Sequence, residues 1–146
     1  MITTCFIRNY GRDEINFVAQ ALIPFWEKYK ILLITGSIGA GKTTLITEMV
    51  KQLGSLDDVT SPTFAYVNKY VLPHGRCVYH FDLYRLKTLD SFYELGFDEL
   101  VREKNALIVI EWPEILAEVY ADVLQIDIAY VSPEARSITY KAGKGL

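Results

Sequence analysis

The sequence predicts an α/β fold, a mixed sheet of about six to seven strands flanked by helices. Three observations predict it. The runs "KILLITG" (30–36) and "ALIVIEW" (106–112) are continuously apolar, as strands covered on both faces are. Stretches with apolar residues at helical spacing lie between strand-like runs, so the early connections read as crossovers. Late in the chain "VLQIDIAYV" (123–131) alternates, and "TFAYVNKYVL" and "RCVYHFDLYRL" flank a short "PHG", both hairpin signals.

In chain order, "TTCFIR" is a short first strand. "RDEINFVAQALIPFWEKY" carries a helical stripe of Ile15, Val18, Ala19, Leu22, Trp26 and Tyr29, and Pro24 is expected to kink or interrupt that helix. After the glycines of 36–41, Leu45, Ile46, Met49, Val50 and Leu53 again keep helical spacing. The two runs around "PHG" form a hairpin. "LDSFYELGFDELV" is helical in two pieces broken at Gly96, and Pro113 opens a short helix over "PEILAEVY". Leu124, Ile126, Ile128 and Tyr130 share one strand face, and "ARSITYKA" pairs with that strand.

The 146 residues make one domain's length, 1–146, with no repeat or linker to divide it. A composition 51% hydrophobic and 23% charged excludes a disordered chain. The net charge of −3 gives no basic field for free nucleic acid. Cys5 and Cys77 are not in a paired spacing, which argues against a zinc site and for a reducing compartment. No apolar run approaches a membrane span, and the N-terminus lacks the pattern of a secretory signal, so a cytoplasmic protein is expected.

"GSIGAGKT" fits G-x-x-x-x-G-K-[ST] at Gly36, Gly41, Lys42 and Thr43, between a predicted strand and a predicted helix. Such a loop turns its backbone amides inward around a phosphate, which needs glycine where φ is positive or a side chain would collide. The start of the following helix adds its positive end. The sheet therefore reads as the P-loop NTPase type. Gly36, Ser37, Ile38, Gly39, Ala40, Gly41, Lys42, Thr43 and Thr44 are the nucleotide-binding candidates. Lys42 reaches the β and γ phosphates, and the Thr43 hydroxyl ligates magnesium.

A second acid is needed near the metal, at the end of a neighbouring strand. Glu111 ends "ALIVIE" and is read as holding the metal's water shell or orienting the attacking water. Asp82 stands on the same strand side as Val78, His80 and Tyr84, which suggests a lined cleft, although a strand-end Asp also serves as a cap. His80 alone reads as a satisfied structural histidine.

Taken together, "GSIGAGKTT", "SPTF" (61–64), "HFDLYRL" (80–86), "ELGFDEL" (94–100) and "IEWPE" (110–114) resemble the TsaE family, small P-loop ATPases of bacterial tRNA threonylcarbamoyladenosine synthesis. The resemblance spans 36–114. It implies ATP and Mg2+ as cofactors, with Thr43 and Glu111 on the metal, and it makes Asp82 and Trp112 necessary for function. It places Ser61 and Thr63 in a switch-like segment near the γ-phosphate and Arg136 on the nucleotide. Tyr84, Arg85 and Trp112 stand beside Ser61 and Thr63 as switch or partner residues. Lys42, Glu111 and Asp82 form the catalytic set. The family acts on a TsaB–TsaD complex, and direct tRNA contact is left open. Ser37 and Ile38 stand where the family usually has Asp-Leu, which implies an altered nucleotide affinity.

Three other readings compete with a partner-dependent, intrinsically weak ATPase. A small-molecule kinase needs an acceptor pocket and a basic lid, and no arginine-rich stretch supplies one. A GTP switch needs N-K-x-D, but "NKYV" has Val71 in place of the Asp. A binding module without turnover follows if no group positions the nucleophile.

Overall fold

The computed structural model describes residues 3–62, 65–116 and 118–143, and for 3–8 the backbone alone. Seven strands form one sheet: β1 (Thr3–Tyr10), β2 (Ile31–Thr35), β3 (Val67–Val71), β4 (Cys77–Asp82), β5 (Ala106–Glu111), β6 (Val123–Ser132) and β7 (Ala135–Gly143). Their order across the sheet is β1-β7-β6-β2-β5-β4-β3. The central four, β6, β2, β5 and β4, are mutually parallel. Antiparallel β3 forms one edge, and antiparallel β7 and β1 form the other. The predicted mixed sheet is present, and both hairpins are too.

Alternation along each strand sorts the core into two layers. Leu32 and Ile34 of β2, Val78 of β4 and Leu107 and Val109 of β5 face helices α1 (Ile15–Tyr29) and α2 (Lys42–Gln52). Tyr79, Phe81, Ile108 and Ile110 face α3 (Leu89–Glu94) and α4 (Phe97–Val101) through Phe92, Phe97 and Val101. The break between α3 and α4 falls at Gly96, in the left-handed region with φ +76°.

Four local expectations are corrected. Helix α1 runs unbroken through Pro24. Pro24 is exposed, and so is Gln20, whose carbonyl loses its helical partner. Water can satisfy that carbonyl, while buried Trp26 holds the helix down by donating Nε1–H to the Ile108 carbonyl at 2.9 Å. After Pro113 only a 3-10 turn forms, Glu114–Leu116. Tyr130 is exposed rather than facing the core with Leu124, Ile126 and Ile128, because the end of β6 from Ala129 to Val131 is uncovered on both faces. β3 is also shorter than the apolar run that predicted it, beginning at Val67.

Parallel strands share a direction, so their carboxyl ends meet at one edge of the sheet. There β2 runs into the glycine-rich loop, β4 ends at Asp82 and β5 ends at Glu111. Cα pairing sets Ile34 against Glu111 and Glu111 against Asp82. Among the described residues, no helix is long and apolar enough to cross a membrane.

Candidate functional site

The glycine-rich loop begins where β2 leaves the sheet. Gly36 has φ +148°, and a Cβ there would lie 2.6 Å from the Ile128 carbonyl oxygen of β6, so only glycine fits. Gly41 has φ +105° and leads directly into α2 at Lys42. Between them Ser37, Ile38 and Gly39 are exposed, and Ala40 is buried. The loop is braced from the far hairpin. Arg136 of β7 donates Nε–H to the Ala40 carbonyl at 2.9 Å and Nη1–H to the Ser132 and Ala135 carbonyls, and its guanidinium lies over the Tyr130 ring.

Lys42 is buried, and its ammonium donates to the Gly36 carbonyl. It also sits 4.0 Å from the centroid of the Trp112 ring, a cation–π contact. Burial lowers its pKa, and the carboxylates of Glu111, Asp82 and Glu114 oppose that shift. The site thus holds a cation short of water beside an open cleft. Trp112 occupies the left-handed region at φ +56° and packs on Tyr84 with ring centroids 4.9 Å apart. A bulky residue in that conformation is strained and must be held by its surroundings.

On the other side of the loop, Thr43 Oγ1 and Ser61 Oγ are hydrogen-bonded at 3.0 Å. Glu111 is buried, and its Oε2 lies 2.6 Å from His80 Nε2. His80 is wholly buried, and its Nδ1 meets the Tyr70 hydroxyl at 2.9 Å, so the structural histidine is satisfied on both nitrogens. Asp82 is half-buried. Its Oδ1 accepts from the Tyr84 amide at 3.0 Å, so it does cap the turn after β4 while facing the cleft. Burial raises the Asp82 pKa; the Tyr84 amide lowers it, Glu111 raises it, and His80 and Lys42 lower it.

Lys42, Thr43, Ser61, Asp82, Glu111 and Trp112 line one cleft of about 390 Å³. Of the residues singled out from sequence, Ile38, Gly39, Gly41, Lys42, Thr43, Thr44, Ser61, Asp82, Glu111, Trp112 and Arg136 all line it. Gly36 lies just behind them, tied to Lys42, and Ala40 is tied to Arg136. Ser37 does not line the cleft, although its carbonyl accepts from the Ala40 amide within the loop. Tyr84 and Arg85 fall instead on a second hollow of about 280 Å³, which shares Ile38, Asp82 and Trp112 with the first. Thr63 lies outside the described residues. The sequence reading missed one wall of the main cleft: Tyr10, Gly11, Arg12 and Ile15 from the start of the chain, and Pro133 and Glu134 from the β6–β7 turn. Pairing of β1 with β7 brings Tyr10 opposite Arg136. The buried Tyr10 hydroxyl has no hydrogen-bond partner among the described residues. Its pKa is raised by burial.

Fold and cleft together define a class: mixed α/β proteins with a glycine-rich loop on the central parallel strand and two acids at the neighbouring strand ends. Within that class the chain belongs to the TsaE family, whose model, described as Threonylcarbamoyl adenosine biosynthesis protein TsaE, matches residues 11–138. It is 38% identical over 107 residues to the tRNA threonylcarbamoyladenosine biosynthesis protein TsaE of Rickettsia felis. That match covers 73% of this chain and 61% of the Rickettsia protein, so the chain spans about three fifths of that relative's length. It is 32% identical over 139 residues to the protein of the same name in Bacillus subtilis, covering 92% of this chain and 84% of the other. Among solved structures, Bacillus subtilis YdiB superposes with a TM-score of 0.66 at 23% identity, over 98% of this chain and 88% of that one, a likeness of fold.

Proposed function

We propose that this chain is a magnesium-dependent, ATP-binding and ATP-hydrolysing accessory protein of tRNA threonylcarbamoyladenosine synthesis, acting on a TsaB–TsaD complex. The observation that carries the reading is the convergence in one cleft of a glycine-rich loop, a desolvated lysine, paired hydroxyls and two strand-end carboxylates. Family membership and the names of the relatives supply the pathway.

The donor set suits magnesium. Thr43, Ser61, Asp82 and Glu111 all present oxygen to the cleft. Magnesium keeps several waters and phosphate oxygens and needs only one or two protein ligands. Thr43 and Glu111 would hold it, and it would supply charge neutralisation across the β and γ phosphates.

This chain's residues do the rest. Loop amides and the start of α2 receive phosphate oxygens. Lys42 offers its ammonium as a point charge. Glu111 orients water by accepting its proton through the oxygen that His80 leaves free, and Asp82 adds a second acceptor at the same edge. Arg136 is engaged with backbone carbonyls, so its charge serves the loop, and a transition-state charge brought by the partner would make the chain a slow hydrolase when alone.

The test is steady-state ATP hydrolysis by the purified chain, alone and with a TsaB–TsaD pair. Strong stimulation by the pair is the expected result. Lys42→Ala should weaken nucleotide binding at least 100-fold, the scale of removing a charged partner from a bound phosphate (about 3 kcal/mol). Glu111→Ala should spare binding and lower kcat by about 100-fold or more. Hydrolysis at the wild-type rate by Glu111→Ala would remove that residue from the mechanism. Equal low rates with and without the pair would reopen the small-molecule kinase reading.

A further inference from the structure

The cleft has two polar sides, and a chain of hydrogen bonds, buried from Glu111 to Tyr70 and exposed at Thr60 and Ser61, joins them. Tyr70, His80 and Glu111 project from β3, β4 and β5 onto the face that α1 and α2 cover. Each is diagonal to the next: Tyr70 pairs with Val78 and Asn68 with His80, while Asp82 pairs with Glu111 and His80 with Val109. Diagonal neighbours on one sheet face are within reach for long side chains. Glu111 Oε2 meets His80 Nε2 at 2.6 Å, and His80 Nδ1 meets the Tyr70 hydroxyl at 2.9 Å. The same hydroxyl donates to the Thr60 carbonyl at 2.9 Å and accepts from the Thr60 amide at 3.3 Å. Next in the chain is Ser61, whose hydroxyl holds that of Thr43. Both ends of this path line the cleft.

A proton count shows why the path is more than packing. A carboxylate can only accept, so it claims a proton from His80 Nε2. A neutral imidazole has one ring proton, so Nδ1 is then an acceptor. With the ring neutral, the Tyr70 hydroxyl faces two acceptors, His80 Nδ1 and the Thr60 carbonyl, with a single proton to give. A charged ring would instead donate from Nδ1 and leave that proton to Thr60. Whatever frees Nδ1 from that demand lets Tyr70 hold Thr60 more firmly, and the reverse follows as well. We propose that the Tyr70 hydroxyl is a positioning group that couples the Glu111 carboxylate to the segment carrying Ser61, so that one side of the cleft sets the position of the other. The proposal rests on the reading above in taking Glu111 and Thr43 as the two sides of the metal–phosphate site, but the coupling belongs to the chain without nucleotide.

The decisive experiment is a double-mutant cycle of Glu111→Gln and Tyr70→Phe, read by amide hydrogen exchange at Thr60 and Ser61 in the nucleotide-free protein. A glutamine amide can donate to Nε2, which moves the ring proton to Nδ1 and returns the Tyr70 proton to Thr60. Glu111→Gln should therefore slow exchange at Thr60 and Ser61 by several-fold. Tyr70→Phe keeps the ring and its packing, and should speed Thr60 exchange by about tenfold, the loss of one hydrogen bond. In the Tyr70→Phe background, Glu111→Gln should change nothing further there. An equal response in both backgrounds, or none in either, overturns the proposal.

A second measurement needs no variant. Histidine-ring 15N spectra of the wild type should show the proton of His80 on Nε2, and a proton on Nδ1 overturns the proposal. With the partner complex present, Tyr70→Phe should lower kcat for ATP several-fold and leave KM within about twofold, whereas mere loosening of the fold would not separate the two. If wild-type protein hydrolyses no ATP with or without the complex, the ATPase reading fails, while the exchange cycle still decides the coupling.

Discussion

Asp82 and Lys42 carry their charges at a cost while the cleft is open. Burial works against both charged forms, raising the pKa of the one and lowering that of the other. For Asp82 the sign is definite. A carboxyl whose folded-state pKa exceeds its ordinary value, 3.8, favours folding most when protonated. That contribution is fully present below 3.8 and is lost as pH rises through the folded value. Asp82→Asn keeps an oxygen for the Tyr84 amide and discards the charge. It should melt higher than wild type at pH 7, and the difference should vanish as pH falls to 3.8 and below. Melting curves across that range decide it, and an advantage that grows on acidification would contradict the assignment. Such residues were legible in the sequence because a parallel strand must end at the edge where the loop sits, which names Asp82 and Glu111. Tyr70 was not. Alternation puts His80 on the face of Asp82, but the partner of His80 depends on the register of β3 against β4, which the geometry of the turn at Pro73–Gly75 sets and apolar alternation does not.

Two elements show where local chemistry decides and where packing overrides it. The proline rule predicted a kink or an interruption in α1, yet the helix is not interrupted, held by buried Val18, Ala19, Leu22 and Trp26 on its core side. Tertiary burial outweighs the missing hydrogen bond, but the loss remains. Pro24→Ala should therefore stabilise the protein by about 1–3 kcal/mol, visible as a higher urea midpoint at unchanged slope. In the glycine-rich loop no packing can compensate. An alanine at Gly36 would drive its Cβ into the Ile128 carbonyl of the neighbouring strand. Gly36→Ala should cost about 2 kcal/mol or more and displace the carbonyl that holds Lys42, so nucleotide binding should fall with stability. A variant of full stability and full affinity would show that the loop can move away from β6. The motif made this loop readable because its demand is steric and lies within a few residues.

At the scale of the whole molecule, the sheet draws the cleft from both ends of the chain. The loop and the acids lie between residues 36 and 111, while Tyr10, Arg12, Glu134 and Arg136 close the other wall through the β1–β7 and β6–β7 pairings. The β1–β7 pairing joins segments too distant in sequence for local patterns to show, so of this wall sequence reasoning named only Arg136. A ligand gripped by loop, strand ends and hairpin together stabilises all of them, because it binds the folded chain and not the unfolded one. At about 100 times its dissociation constant, ATP with magnesium should add about 2.7 kcal/mol, or roughly 5–10 °C in melting temperature for a chain of this size. Removing magnesium with EDTA should take away most of that shift if Thr43 and Glu111 hold the metal against the phosphates. Lys42→Ala, its affinity down at least 100-fold, should leave about 0.4 kcal/mol of that stabilisation or less, and substituting Arg136 should reduce it by releasing the Ala40 carbonyl and loosening the loop. A shift of full size in EDTA would mean that the loop and Lys42 grip the nucleotide without metal, and Thr43 and Glu111 would then need another role.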